Sequence, residues 1–171
     1  MWTMILPIYI EPQPVLHQET TPITEITPEI KALAENMRET MHNAKGIGLA
    51  APQIGQSLSM CVIEIDDPES EEPHFPFTVL INPRITWKST KIVPFIEACL
   101  SIPGTEGKVM RPDRVRVKAK NLEGETFELE ADGLLARVVQ HEIDHLHGIL
   151  FTKYVPKKGL VTRKAPEYPR I

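Results

Sequence analysis

Proline placement sets the first limit on how this chain folds. Of its 16 prolines in 171 residues, Pro7, Pro12, Pro14 and Pro22 crowd the opening and Pro156, Pro166 and Pro169 the tail. Each removes a backbone donor and clashes with the preceding turn, so neither end can form a helix interior. Residues 1–27 therefore read as an extended, edge-like segment wrapping the surface, and 156–171 as an irregular tail with no long helix. Helical signals survive in two windows. Thr27 is an N-cap followed by proline at the first helical position, with Glu29 in the first turn. Ile30, Leu33, Ala34, Met37 and Met41 then recur at helical spacing, which predicts a helix over about 28–44, stopped by Gly46. A second helix is capped by Asp132, carries Leu134, Leu135, Val138 and Val139 on its core side, and ends at Gly148.

Between these windows the chain reads as strands. Residues 58–65 and 77–81 are rich in Val and Ile, with an acidic, proline-containing surface loop over 66–73 between them. Further strands are predicted at 85–87, 91–95, 114–119 and 126–130. In 114–119, Val115 and Val117 alternate with Arg114, Arg116 and Lys118, a half-buried pattern, and a turn at 122–124 joins the last two strands as an antiparallel hairpin. Short strand-to-strand links and two helices indicate α+β. The expected architecture is one domain over 1–171, with antiparallel or mixed sheets packed around the second helix and the other helix near the N-terminus.

Composition excludes several classes. A 42% hydrophobic and 25% charged chain is an ordinary globule, and a net charge of -4 offers no general attraction to nucleic acid. Basic clusters at 111–116 and 153–164 read as solvated surface. No apolar run approaches the ~18–20 residues needed to span a bilayer, and the first ten residues lack the features of a signal peptide. With two cysteines and enough chain for a core, no disulfide is needed. Cys61, inside Met60-Cys61-Val62-Ile63, reads as core, and His17, His42, His74 and His147 carry no assigned role.

The chemistry concentrates in His141-Glu142-Ile143-Asp144-His145. Residues four apart share a helix face, so His141 and His145 can present two imidazoles to one metal ion. Glu142, turned by about 100°, is placed to handle a proton rather than to ligate. A surface helix carrying two histidines by chance is the plain alternative, but His141 continues the apolar face of Leu134 and Val138, and unliganded histidines are costly to bury. A catalytic site needs a third protein ligand. One protease pattern would place a histidine where Phe151 stands; another would use a downstream glutamate, for which only Glu167 is available, in the proline-flanked tail. Cys99, in Glu97-Ala98-Cys99-Leu100-Ser101, is the third candidate, and a thiolate suits such an ion. Taken alone it would be a buried thiol; beside two histidines it is the preferred ligand.

Three segments together resemble the peptide deformylase family, which removes the N-formyl group from new proteins. They are Gly46-Ile47-Gly48-Leu49-Ala50-Ala51-Pro52-Gln53, Glu97-Ala98-Cys99-Leu100-Ser101 and Gln140-His141-Glu142-Ile143-Asp144-His145, in the family's order. The resemblance implies Cys99, His141 and His145 as metal ligands, Glu142 as general acid/base, and the Gln53 side-chain amide and Leu100 N–H as oxyanion donors. It also implies that Ile47 and Gly48 line the cleft, Gly48 pairing with substrate backbone, while Val138 helps to hold the methionine side chain. The implied ion is Fe²⁺, with Zn²⁺, Ni²⁺ or Co²⁺ able to occupy the site. The implied substrates are N-formylmethionyl peptides emerging from the ribosome, handled by a cytoplasmic monomer, bacterial by preference, with a phage or organelle origin left open. A metalloprotease on the same helix and a non-catalytic metal-binding relative are the alternatives. Ala98 stands where the family usually has glycine. If the backbone there needs positive φ, the methyl would strain it by ~1 kcal/mol or more.

Overall fold

The computed structural model describes residues 3–66 and 73–171. In chain order the elements are α1 (Pro28–Asn43), β1 (Gly48–Ala50), β2 (Met60–Ile65), β3 (Phe75–Lys88), β4 (Ile92–Cys99) and β5 (Ile102–Pro112). After them come β6 (Arg114–Lys120), β7 (Thr126–Asp132), α2 (Gly133–Leu146) and β8 (Leu160–Thr162). One sheet has the order β1-β2-β3-β6-β7 and the other β4-β5-β8. The pairs of named strands are antiparallel throughout, which gives the expected α+β class. No helix among the described residues is long and apolar enough to cross a membrane.

Strand β2 shows why its sequence is continuously apolar. All six of its residues are buried because the larger sheet is covered on both faces. Met60 and Val62 pack with Ala34, Met37 and Met41 of α1, while Cys61 and Ile63 pack with Val139, Ile143 and Leu146 of α2. Glu64 continues the alternation onto the α1 side, where Arg38 and His42 each meet its carboxylate at 2.7 Å. Helix α2 thus turns its apolar side to the large sheet and leaves its other side to the small one. On β6, Val115, Val117 and Ala119 are buried and the intervening Arg and Lys residues exposed.

Helix α2 begins directly at the end of β7, and the Asp132 side chain makes no capping hydrogen bond there. Its far end is set by Gly148, with φ +67°, where a Cβ would stand 2.5 Å from the backbone of His17. Both the left-handed backbone and the close approach of the N-terminal segment require glycine.

Several expectations are revised. Strands expected at 77–81 and 85–87 are one element, β3, with register shifts around Asn82, whose side-chain amide bonds both the N–H and the carbonyl of Ile23 at 2.8 Å. Strands β1 and β5 were not expected. The tail, read as irregular, contributes β8, which pairs with β5. Its end then joins the opening segment: Ile8 N–H donates to Pro169 O at 2.8 Å and Ile10 N–H to Ile171 O at 3.0 Å. The opening also contains a 3-10 turn over Pro14–His17. Arg111, grouped with solvated surface cations, is 5% exposed, because two carboxylates surround it; Arg114 and Arg116 are exposed as expected. Most of the acidic loop expected over 66–73 lies outside the described residues.

Candidate active site

Three elements converge at one place. Strand β4 delivers Cys99 at its last residue, α2 presents His141 and His145 one turn apart, and the short turn after β1 delivers Gln53. The ligand atoms of Cys99, His141 and His145 lie within 4.8 Å of one another, the spread a single ion can bridge. Cys99 Sγ is 3.3 Å from His145 Nε2, and the two imidazoles stand edge to face with centroids 5.0 Å apart. Phe151, in the position a third histidine would need, stacks on the His141 ring at 6.2 Å. Cys61 is equally buried but far from this chemistry in role: burial pushes its thiol pKa well up, which makes it an inert core residue.

Behind His141 stands Glu97, which sequence reasoning had treated only as part of a motif. Its carboxylate takes His141 Nδ1 at 3.0 Å, so the other ring nitrogen is left for a ligand. Arg111 donates to both Glu97 oxygens at 2.7 and 3.0 Å, and Arg137 donates to one of them at 2.9 Å. Arg111 also reaches Asp144 at 2.6 Å, so a buried network of two arginines and two carboxylates locks β4, β5 and α2 together. Burial alone would raise the Glu97 pKa, yet the His141 and Arg111 hydrogen bonds outweigh it and hold it at about 2. For His141 burial disfavours charge, but its hydrogen bonds to Cys99 and Glu97 outweigh that and raise its pKa. Burial and the neighbouring His141 lower the pKa of His145, which keeps its lone pair free.

Glu142 lies beside these groups with one carboxylate oxygen, Oε2, buried and without a hydrogen-bond partner. Such an atom calls for a ligand, a water or a proton. Burial raises its pKa to about 7. Gly48 makes room for it: a Cβ at that position would be 2.5 Å from Glu142 Oε1. Gln53 is oriented by the Ala50 N–H, which donates to its Oε1 at 2.8 Å. Its Nε2 is thereby aimed into the site, 3.6 Å from Cys99 Sγ and 3.2 Å from Ser101 Oγ.

Gln53, Glu97, Cys99, Arg137, His141 and Glu142 border one cleft of about 470 Å³, with Ile47, Gly48, Leu100 and Val138 on its walls. Of the residues expected at the site, His145 alone is off the cleft wall, and it joins the rest through its cluster with Cys99 and His141. The tail also contributes: Arg163, Lys164 and Tyr168 line the same cleft, and Tyr168 O–H donates to the Leu100 carbonyl at 2.5 Å. Ala98 is exposed and lies within β4, opposite Glu106. Lys45 and Asn82 are the non-glycine residues with positive φ among those described, so the methyl of Ala98 brings no backbone strain.

The family model of polypeptide deformylase matches residues 5–160. The chain belongs to this family. A peptide deformylase of Acinetobacter baumannii is 46% identical over 151 residues, covering 88% of this chain and 83% of the relative. Among solved structures, a Synechococcus elongatus peptide deformylase in complex with actinonin has a TM-score of 0.82 and 39% identity, over 90% of this chain and 80% of that one. A class I type b deformylase from Acinetobacter baumannii with bound Met-Ala-Ser has a TM-score of 0.86 and 33% identity, over 90% of this chain and 100% of that one. The family is metal-dependent, and the clustered Cys99, His141 and His145 donors are a set that could hold a metal ion.

Proposed function

We propose that this chain removes the formyl group from the N-terminal formyl-methionine of newly made polypeptides, with Cys99, His141 and His145 holding one divalent ion. The observation that carries this reading is the clustering of those three donors, Cys99 and His141 on the cleft wall with His145 behind them, beside the unpartnered Oε2 of Glu142. When bound, the ion polarises the formyl carbonyl and lowers the pKa of water toward ~7. Fe²⁺ is the proposed working ion, and a set of one thiolate and two imidazoles also accommodates Zn²⁺, Ni²⁺ or Co²⁺.

The protein groups divide the remaining work. Strand β1 is at the edge of its sheet, so its free side can take the substrate backbone as an added strand beside Gly48. Ile47 flanks that strand, and Val138 borders the space for the methionine side chain. Water attacks the formyl carbon and gives a proton to Glu142. The negative charge that develops on the formyl oxygen is met by the Gln53 amide and the Leu100 N–H, and losing one such donor typically costs ~10²–10³ in rate. Glu142 then returns the proton to the methionine nitrogen as the C–N bond breaks, which leaves a free amine and formic acid, and the acid gives up its proton to water to become formate. We place this reaction on nascent chains in a bacterial cytosol, carried out by a monomer without direct contact to nucleic acid.

The test is formate release from an amide-capped formyl-Met peptide by protein purified without oxygen. Turnover that depends on the formyl group and is lost in Cys99→Ser supports the reading. No formate after loading with iron, nickel or cobalt would overturn it, and internal peptide cleavage that survives Cys99→Ser would favour the metalloprotease alternative.

A further inference from the structure

The tail does more than close the fold. Strand β8 sets Thr162, Val161 and Leu160 against Thr105, Glu106 and Gly107 of β5. Just beyond it, Arg163 N–H donates to Gly104 O at 2.6 Å, and Gly104 has no room for a side chain: a Cβ would meet the Arg163 carbonyl oxygen at 2.5 Å. The Arg163 guanidinium is anchored by two hydrogen bonds to Glu106 Oε1, at 2.9 and 2.7 Å. With Tyr168 tied to Leu100, the segment from Arg163 to Tyr168 is held at both ends as a wall of the cleft.

The charges lining the solvent side of the cleft are unbalanced. Among the charged side chains lining the cleft, Glu97 and Arg137 are buried and paired, and Glu142 belongs to the reaction centre. The solvent side holds Lys45, Arg163 and Lys164 against Glu106, which Arg163 already engages. Lys45 and Lys164 make no ion pair among the described residues. A cationic rim thus stands on a chain whose net charge is -4. A neutral peptide backbone cannot use it, but an anionic side chain leaving the cleft can.

We propose that the tail residues Arg163 and Lys164, with Lys45, make this enzyme select formyl peptides that carry an acidic side chain in the residues following the methionine. This rests on the deformylase reading of the cleft. Exposed ion pairs are individually weak, so acidic over uncharged peptides should be favoured about two- to fivefold in kcat/KM, and acidic over lysine-bearing ones about tenfold. The preference should shrink as salt is raised past ~0.15 M.

The experiment compares formyl-Met peptides with Glu, Gln or Lys at each of the next three positions. C-terminal amide capping removes the terminal carboxylate, and an uncapped Gln series shows what that carboxylate contributes by itself. The charge-reversed variant Arg163→Glu/Lys164→Glu should invert the order, favouring lysine, an outcome that loss of folding cannot produce. Binding of the unformylated Met-Glu and Met-Lys peptides by calorimetry gives the same comparison without turnover. Formate release at equal rates from all three series, or an acidic preference unchanged in the reversed variant, overturns the inference and leaves the deformylase reading standing. Absence of formate from every peptide counts against that reading, and the calorimetric order then decides the inference by itself.

Discussion

Replacing Gly48 with alanine separates chemistry from folding. Gly48 lies in β1 and does not have positive φ, so an alanine backbone fits there without strain. Its methyl does not fit: the Cβ would be 2.5 Å from Glu142 Oε1 and 2.9 Å from both Glu142 Cδ and Cγ, whereas ordinary contact begins at 3.4 Å. The carboxyl group must therefore retreat by about 1 Å, and a displacement of that size at a reacting group can cost ~10²-fold in rate. Glu142 is the flexible partner in this collision, so the chain folds and the donors Cys99, His141 and His145 keep their places. We expect Gly48→Ala to bind one ion per chain and to melt within a few degrees of the parent. Its kcat/KM for formate release should fall about a hundredfold, with the loss mainly in kcat. Full activity would refute the placement of Glu142 against Gly48, and loss of the ion together with the rate would refute its separateness from the ligands.

Gln53→Leu removes a buried donor aimed into the site and should lower kcat by ~10²–10³ with the ion retained, measured by formate release and metal content. Glu97→Gln leaves the buried side chains of Arg111 and Arg137 without their shared countercharge, and should destabilise the fold by about 3–5 kcal/mol in denaturant titration. The same change takes the anionic partner from His141 Nδ1, so metal affinity should fall about 10–100-fold in a competition assay. The Arg38 hydrogen bond lowers the pKa of Glu64. A depressed carboxylate stabilises the fold above its unfolded pKa of about 4.3, and that contribution is lost as pH falls through the folded value. Since Arg38 is 36% exposed, the effect is about 1 kcal/mol or less: the melting advantage of the parent over Glu64→Gln should be present at neutral pH and vanish toward acid.

Much of the site was legible because its chemistry is local. The spacing of His141 and His145 needs only a helix, and the alternation of Val115 and Val117 needs only a sheet with one wet face. Residues whose meaning depends on distant partners were harder to read. Strand β5 carries Pro103, Gly104, Gly107 and Pro112, a poor strand by propensity; pairing with β4 and the burial of Val109 and Arg111 hold it in place. Strand β1 has three residues and hides in a run of small side chains. Arg111 stands three residues before an exposed basic stripe, so nothing local distinguishes it from Arg114 or Arg116. Its role comes from Glu97 and Asp144, 14 and 33 residues away. The tail could not be read from local pattern because its order comes from β5, Leu100 and the opening segment. Ala98 shows the reverse case, in which an apparent departure from a motif is harmless once the backbone is seen to be extended.

The most direct test of the account is X-ray absorption on protein loaded with one equivalent of zinc, which reports the ligands around the ion whatever the state of catalysis. The structure predicts a shell with one sulfur at about 2.3 Å and two imidazole nitrogens at about 2.0–2.1 Å. The sulfur should vanish in Cys99→Ser and persist in Cys61→Ser. A shell of nitrogen and oxygen without sulfur in the parent protein would contradict the assignment of Cys99 as the third ligand.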